Sequence, residues 1–276
     1  MNMENIIPRS PNRREFVKSA ILTSASLFAF PSISSFDGKE NDNDIFMDLH
    51  VHLSNMLTIE QAVEISRQKE IKFGIVEHPG PEGFLKGDKE LKEYINMLRK
   101  YPVFIGIQPI YRNWSKAFSP DLLKKIDYVL MDPQTIPQDD GGYMRIWQLD
   151  AYVENKENFM ERYMEHSLGI LNHESINIFG WPLSLPSCIG RDYYELWTQE
   201  RKQAIIDAAK ARNIALEIND MARVPDEDFI RMAKDQGLKF SFGTDSRNKY
   251  AGRLTYGMEM AKKCGLTKDN LYYPGE

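Results

Sequence analysis

Two histidines stand one residue apart in MDLHVHL, His50 and His52, with Asp48 two positions before the first. In an extended chain a spacing of two sends both imidazoles to the same face. Ring nitrogens so placed can converge on one dication of the zinc type. A histidine pair on a buried strand has a second ordinary role, in which each ring simply donates to a carbonyl. The metal reading gains from where other ligand-type side chains fall: Glu77 and His78 follow the second apolar run, and Asp245 follows the last. The chain has five histidines, and three of them lie in these places. Asp48 fits an acceptor for a histidine N–H, fixing the tautomer that binds metal, or equally a buried aspartate that caps a turn. His166 and His173 belong to a helical pattern and read as a solvated histidine and one beside a helix C-terminus. Cys188 and Cys264 are far apart and outside any C-x-x-C pattern, so they are expected as small buried residues rather than zinc ligands.

The elements that must position these groups alternate along the chain. Short apolar runs read as strands at 45–50, 73–77, 103–108, 128–132, 176–180, 214–218 and 240–244. Amphipathic helical patterns separate them, among them TIEQAVEISRQKE, where Thr58 and Gln61 have capping-box spacing. The others are DKELKEYINMLRK, ENFMERYMEHSLGIL, YELWTQERKQAIIDAAKAR, VPDEDFIRMAKDQG and LTYGMEMAKKCG. Continuously apolar strands, each followed by a helix, predict an α/β protein with a parallel sheet covered by helices. Roughly 240 residues without an internal linker favour one closed or nearly closed barrel, with an open doubly wound sheet as the alternative. No G-x-G-x-x-G or G-x-x-x-x-G-K-[ST] follows a strand, which argues against a glycine-rich phosphate loop. In such architectures the chemistry sits at the C-terminal strand ends. Read in order, those ends carry His50 and His52, Glu77 and His78, Gln108, Asp132 and Gln134, Trp181, Glu217 and Asn219, and Asp245.

Over its 276 residues the chain is 42% apolar and 27% charged, as for a globular protein, and its formal net charge is -5. That balance offers no broad basic surface for nucleic acid, so small molecules are the expected partners. The N-terminus reads differently. Arg13-Arg14 precede Phe16 and Lys18, then a serine-rich apolar run from Ala20 to Phe30. The layout resembles a twin-arginine export signal over residues 1–36, followed by an acidic linker at 37–43 and the β/α barrel domain at 44–276. The run is shorter than the roughly 20 apolar residues a spanning helix needs, so no transmembrane anchor is expected.

From residue 44 onward the sequence resembles the polymerase and histidinol phosphatase (PHP) family of metal-dependent hydrolases. The resemblance is carried by DLHVHL, GIVEHPG, GIQP, DYVLMDPQ, IFGWPL, LEIN and GTDS at successive strands, and by the closing GLTKDNLYYP. It implies a distorted seven-stranded parallel (β/α)7 barrel, PHP-like in plan, and agrees with the seven strands counted from pattern. It also implies metal ligands at His50, His52, His78 and Asp245. Four positions depart from the family. Gln108 replaces a bridging glutamate, Gln134 a histidine, Trp181 a histidine after the glycine, and Arg247 a histidine two residues past the aspartate. The resemblance therefore implies one ion rather than three, a divalent zinc, manganese or iron, on His50, His52 and Asp245 with Gln108 as a weak neutral donor. His78 or Glu77 would then move protons. Arg247 would supply fixed positive charge where the family has a ligand.

Arginines also gather near the strand ends, and guanidinium forks suit phosphate or carboxylate. Arg112, Arg191, Trp181 and Asn219 are the expected substrate contacts. Tyr111, Trp114, Tyr143 and Trp147 in the same loops read as an apolar or sugar-stacking wall, or as loop packing. The expectation is an exported metal-dependent hydrolase of a small anionic substrate, with a phosphoester as the leading class. A binding protein that keeps the pocket without turnover, and an amidohydrolase-type enzyme, are the alternatives. Fold analogy alone does not choose among them.

Overall fold

The computed structural model describes residues 46–80 and 83–275. The expected export signal and acidic linker lie outside the described residues. In chain order the elements are β1 (Met47–Val51), α1 (Ile59–Lys69), β2 (Lys72–Ile75), α2 (Asp88–Leu98), β3 (Phe104–Ile107), α3 (Pro120–Leu123) and β4 (Tyr128–Met131). There follow β5 (Thr135–Pro137), β6 (Tyr143–Arg145), α4 (Lys156–His173), β7 (Ile178–Phe179), α5 (Tyr193–Leu196), α6 (Gln199–Ala211) and β8 (Ala215–Asn219). The chain closes with α7 (Glu227–Asp235), β9 (Phe240–Gly243) and α8 (Thr255–Cys264).

Seven strands form one sheet in the order β1-β2-β3-β4-β7-β8-β9, and each adjacent pair is parallel. All seven expected strands are present. The ring is nearly closed: Val51 bridges Ser246 just past β9, and the His52 N–H donates to the Ser246 carbonyl at 2.9 Å. Two features distort it. β7 is only two residues long, and the β1–β2 register shifts between Asp48 and Val51, across the stretch that carries His50. Such an irregularity re-aims side chains next to a site.

The strands read as unbroken apolar runs because they are buried on both sides, the barrel interior and the helical layer. Tyr128 fills part of the interior, and its hydroxyl donates to the Leu49 carbonyl at 2.7 Å. Gly74 and Gly106 make room for its ring, since a Cβ at either would collide with it. Helix starts follow side-chain caps: Thr58 forms the predicted capping box with Gln61 on α1, and Asp226 caps α7.

Two local expectations change. The pattern read as one helix from 194 to 212 is broken into α5 and α6, because the Thr198 hydroxyl accepts the Arg201 N–H and restarts the helix. Between β4 and α4 the chain makes an antiparallel hairpin, β5–β6, which the apolar pattern does not mark. Among the described residues no helix is long and apolar enough to cross a membrane. Cys264 is buried as expected, but Cys188 is exposed, and both thiols are free.

Candidate metal centre

β1 and the turn after β9 meet at the seam of the barrel and bring together His50, His52 and Asp245. Their ligand atoms all lie within 4.8 Å of one another. His50 Nε2 stands 3.5 Å and His52 Nε2 3.3 Å from the same oxygen, Asp245 Oδ1. All three residues are buried. Both Nε2 atoms are buried without a hydrogen-bond partner among the described residues, which is costly unless a ligand supplies one. Two imidazoles and a carboxylate are a donor set that suits zinc, and also iron or manganese.

The tautomer of His50 is set from behind. His50 Nδ1 lies 2.7 Å from Glu217 Oε1, and the other oxygen of Glu217 accepts the Trp181 backbone N–H at 2.8 Å. A carboxylate holding Nδ1–H leaves the Nε2 lone pair facing Asp245. Gly243 makes space for this arrangement, because a Cβ there would strike the Glu217 carboxylate and come within 2.7 Å of His50 Cβ.

Asp48, expected as a possible partner for a histidine ring, does not hold one. Its carboxylate accepts from the backbone N–H groups of His50, Thr244 and Gly252 and from the Thr244 hydroxyl. It fastens β1 to the end of β9, a structural task, while Glu217 takes the role at the ring. A clue to Glu217 stood in the sequence: an acid between Leu216 and Ile218 in a continuously apolar strand must find a partner.

His78 joins the cluster, with its ring 4.9 Å from that of His52. Its Nδ1 lies 3.0 Å from the Gln108 carbonyl. A carbonyl only accepts, so Nδ1 carries the proton and Nε2 keeps a lone pair. Glu77, half-buried, accepts the His78 backbone N–H at 2.7 Å. Gln108 donates its amide to Asp132 Oδ2 at 2.7 Å, and its Oε1 is buried without a hydrogen-bond partner among the described residues. Asp132, which sequence reading placed at a strand end without a role, is held by Gln108 and by the Gln134 N–H.

The electrostatics follow from burial and these carboxylates. Burial pulls His50 down, but Glu217 and Asp245 outweigh it and raise it to about 10. Burial lowers His52 to about 3 against the pull of Asp245. Burial pushes Asp245 up, yet His50, His52 and Arg247 hold it well below the usual carboxylate range. One positive charge therefore belongs between Glu217 and Asp245, and a proton or a metal ion can supply it. Burial raises Asp132 to about 6 and also raises Glu77. It lowers His78.

Arg247 takes the place expected of it. Its Nη1 donates to Asp245 Oδ1 at 2.6 Å, the oxygen the two histidines approach. It also lines a groove of about 570 Å³ with Arg223, Arg253 and Asp245. A second cavity of about 220 Å³ is lined by Gln134, Trp147, Trp181 and Tyr193. The loop after β8 separates the two, with Asp220, Met221 and Arg223 on the groove side and Ala222 and Val224 on the other. The loop is pinned by mutual backbone bonds between Asn219 and Val224 and by Asn219 Oδ1, which accepts the Ala222 N–H. Asn219 is thus a buried support of the partition rather than a residue lining either cavity. Trp181, Arg223 and Asp245 all have positive φ, a strained backbone of the kind that gathers at binding sites.

Two expected substrate contacts are elsewhere. Arg112 pairs with Glu174 at 3.7 Å, at the end of α4 that leads into β7 and hence at the far end of the barrel. The β3–β4 connection descends there at once, because the Glu174 carboxylate also accepts the Asn113 N–H. Arg191 is exposed on the turn beside the Lys156–Asp192 ion pair and lines neither cavity. His166 is buried, not solvated.

No family model and no curated protein matches the chain. Solved structures that share a distant likeness include the following three. A chain of archaeal ribonuclease P with mature tRNA is 14% identical, with 83% of this chain and 96% of that one covered and a TM-score of 0.39. Citrate synthase SbnG is 13% identical, with 79% and 95% covered and a TM-score of 0.35. The HpcH/HpaI aldolase from Desulfitobacterium hafniense DCB-2 is 14% identical, with 83% and 95% covered and a TM-score of 0.38. Likenesses this remote carry no argument about activity, and the fold rests on the strand order itself.

Proposed function

We propose that the chain is a metal-dependent hydrolase of a small anionic substrate, with a phosphoester as the expected class and a single ion in a reduced PHP-like site. The observation that supports this reading is the meeting of two buried, unpartnered imidazole nitrogens on one aspartate oxygen. A divalent ion there would supply Lewis acidity, activating water near neutral pH and offsetting charge on the substrate.

The chain's own groups have separable tasks in this reading. Glu217 keeps the His50 lone pair turned inward. His78, kept neutral by burial and protonated at Nδ1, offers Nε2 as a proton acceptor. Glu77, with its pKa raised, is the carboxyl beside His78 that can exchange a proton there. Arg247 presents fixed positive charge along the groove, where an anion would lie.

The test is metal content of untagged protein, alone and as His50→Ala and Asp245→Ala, followed by parallel ester screens. We expect about one zinc, manganese or iron per chain in the wild type and none in either variant. Hydrolysis should occur with phosphomonoesters or diesters rather than amides or lactones. A folded, metal-free wild type would sink the reading.

A second reading has its own support. The 2.6 Å Arg247–Asp245 ion pair already neutralises the aspartate, as it would in a binding protein that needs no ion. Tight anion binding without bound metal or turnover would favour it.

A further inference from the structure

The smaller cavity is the feature that the proposed chemistry does not use. Its walls are aromatic and apolar: Trp147, Trp181 and Tyr193, with Ile146, Leu185 and Val224. Trp147 is 47% exposed, so ring surface there is not spent on the core. Trp181 is buried, yet its indole Nε1–H has no partner among the described residues. Such a donor is ordinarily satisfied when buried. Two walls are hydrogen-bonded directly to the polar centre: the Trp181 backbone N–H to Glu217, and the Gln134 backbone N–H to Asp132. Tyr193 is fixed by its hydroxyl, which donates to Asp226 at 2.8 Å.

The volume, about 220 Å³, is below the roughly 300–1,000 Å³ of sites for drug-sized ligands. It suits one ring. The neighbouring groove has the opposite character, with Arg223, Arg247 and Arg253 along it, and only the 219–224 loop stands between.

We infer that the cavity lined by Trp147, Trp181 and Tyr193 is a subsite for one flat ring, aromatic or pyranose, bearing a hydrogen-bond acceptor for the Trp181 indole. The substrate class is then an anionic group joined to such a ring, with the anion in the arginine groove and the ring beyond the partition loop. This rests on the anionic-substrate reading above and adds the identity of the other half of the molecule.

Calorimetric binding to the full chain, with zinc or manganese supplied, tests it with four probes: inorganic phosphate, methyl phosphate, phenyl phosphate and glucose 6-phosphate. At least one ring ester should bind about tenfold more tightly than methyl phosphate, as expected for burying a ring face. Which ester wins separates an aryl from a sugar ring. Ala222→Phe fills the cavity from the partition loop and leaves the aromatic residues Trp147, Trp181 and Tyr193 in place. It should erase the preference while leaving inorganic phosphate within about twofold. Trp181→Phe keeps an aromatic wall but removes the N–H, so it should weaken an acceptor-rich ring about tenfold, as for one lost hydrogen bond.

Equal affinity for the methyl and both ring esters, or a preference that survives Ala222→Phe, overturns the inference alone. A ring preference without hydrolysis of any ester overturns the hydrolase reading and leaves the subsite standing. Binding of none of the four probes overturns both.

Discussion

Two buried polar clusters lie two residues apart on β1 and could hardly be treated more differently by the fold. Around Asp48 four donors meet one carboxylate, and every group points at a protein partner. Around His50 and His52 two ring nitrogens and one amide oxygen are buried and left without one. Both clusters are equally shielded from water. A buried polar group that the chain satisfies is part of the architecture, and one that the chain positions but leaves open is reserved for something else.

The sharpest way to break the comparison is to disturb the satisfied cluster. Asp48→Asn turns an amide toward N–H donors, and we expect a loss of about 3 kcal/mol in chemical denaturation. The folded variant should still bind metal within about threefold of wild type. A tenfold weaker metal affinity would show that the clusters are one unit.

Asp132, bonded to Gln108 of the open cluster, separates them by pH. Its pKa is raised from 3.8 to about 6, chiefly by burial, so folding favours the protonated acid. That contribution is fully present below about pH 4 and is lost as pH rises through 6. Asp132→Asn is neutral throughout and should gain up to about 3 kcal/mol on wild type between pH 4 and pH 7. Parallel denaturation profiles at the two pH values would refute this.

Glu217→Gln probes the open cluster through its tautomer. The Trp181 N–H can only donate, so the new amide must turn its oxygen there and its NH₂ toward His50 Nδ1. That moves the ring proton to Nε2 and removes the lone pair needed for metal. We expect a metal affinity lower by about 10–100-fold with stability little changed. An unchanged affinity would assign Glu217 to structure, alongside Asp48.

The smallest expected effect has the opposite sign. Arg247→Gln frees Asp245 Oδ1 from a cation at 2.6 Å, and metal affinity should rise about tenfold, the size of one favourable charge contact removed from competition. A weaker affinity would mean that Arg247 supports the site rather than competing for it.

Sequence and structure agree where the physics is local. Period-two spacing places His50 and His52 on one side, unbroken apolar runs mark the seven strands, and Thr58 with Gln61 starts a helix. What stayed hidden depends on distant pairing. The choice between Asp48 and Glu217 as the partner of His50 turns on a contact 167 residues away in the chain. Arg112 follows the right strand, but the next connection descends the barrel and carries it to Glu174. The β5–β6 hairpin is short and half exposed, so it writes no clear alternation. His166 is buried on the face of α4 that also carries Tyr163 and Ile170, three residues before and four after it, a helical spacing that outweighs the polarity of the ring itself.

At the seam of the barrel Val51 bridges Ser246, and the candidate ligands come from either side of that join. An ion held there would work as a clasp between the first and last strands, tying together positions almost 200 residues apart in the chain, as the Asp48–Thr244 bonds do at a separation of 196. Closing so long a loop is costly in chain entropy, and contacts of such separation form slowly. The clasped protein would therefore resist opening at the seam, and removal of the ion would lower that resistance there.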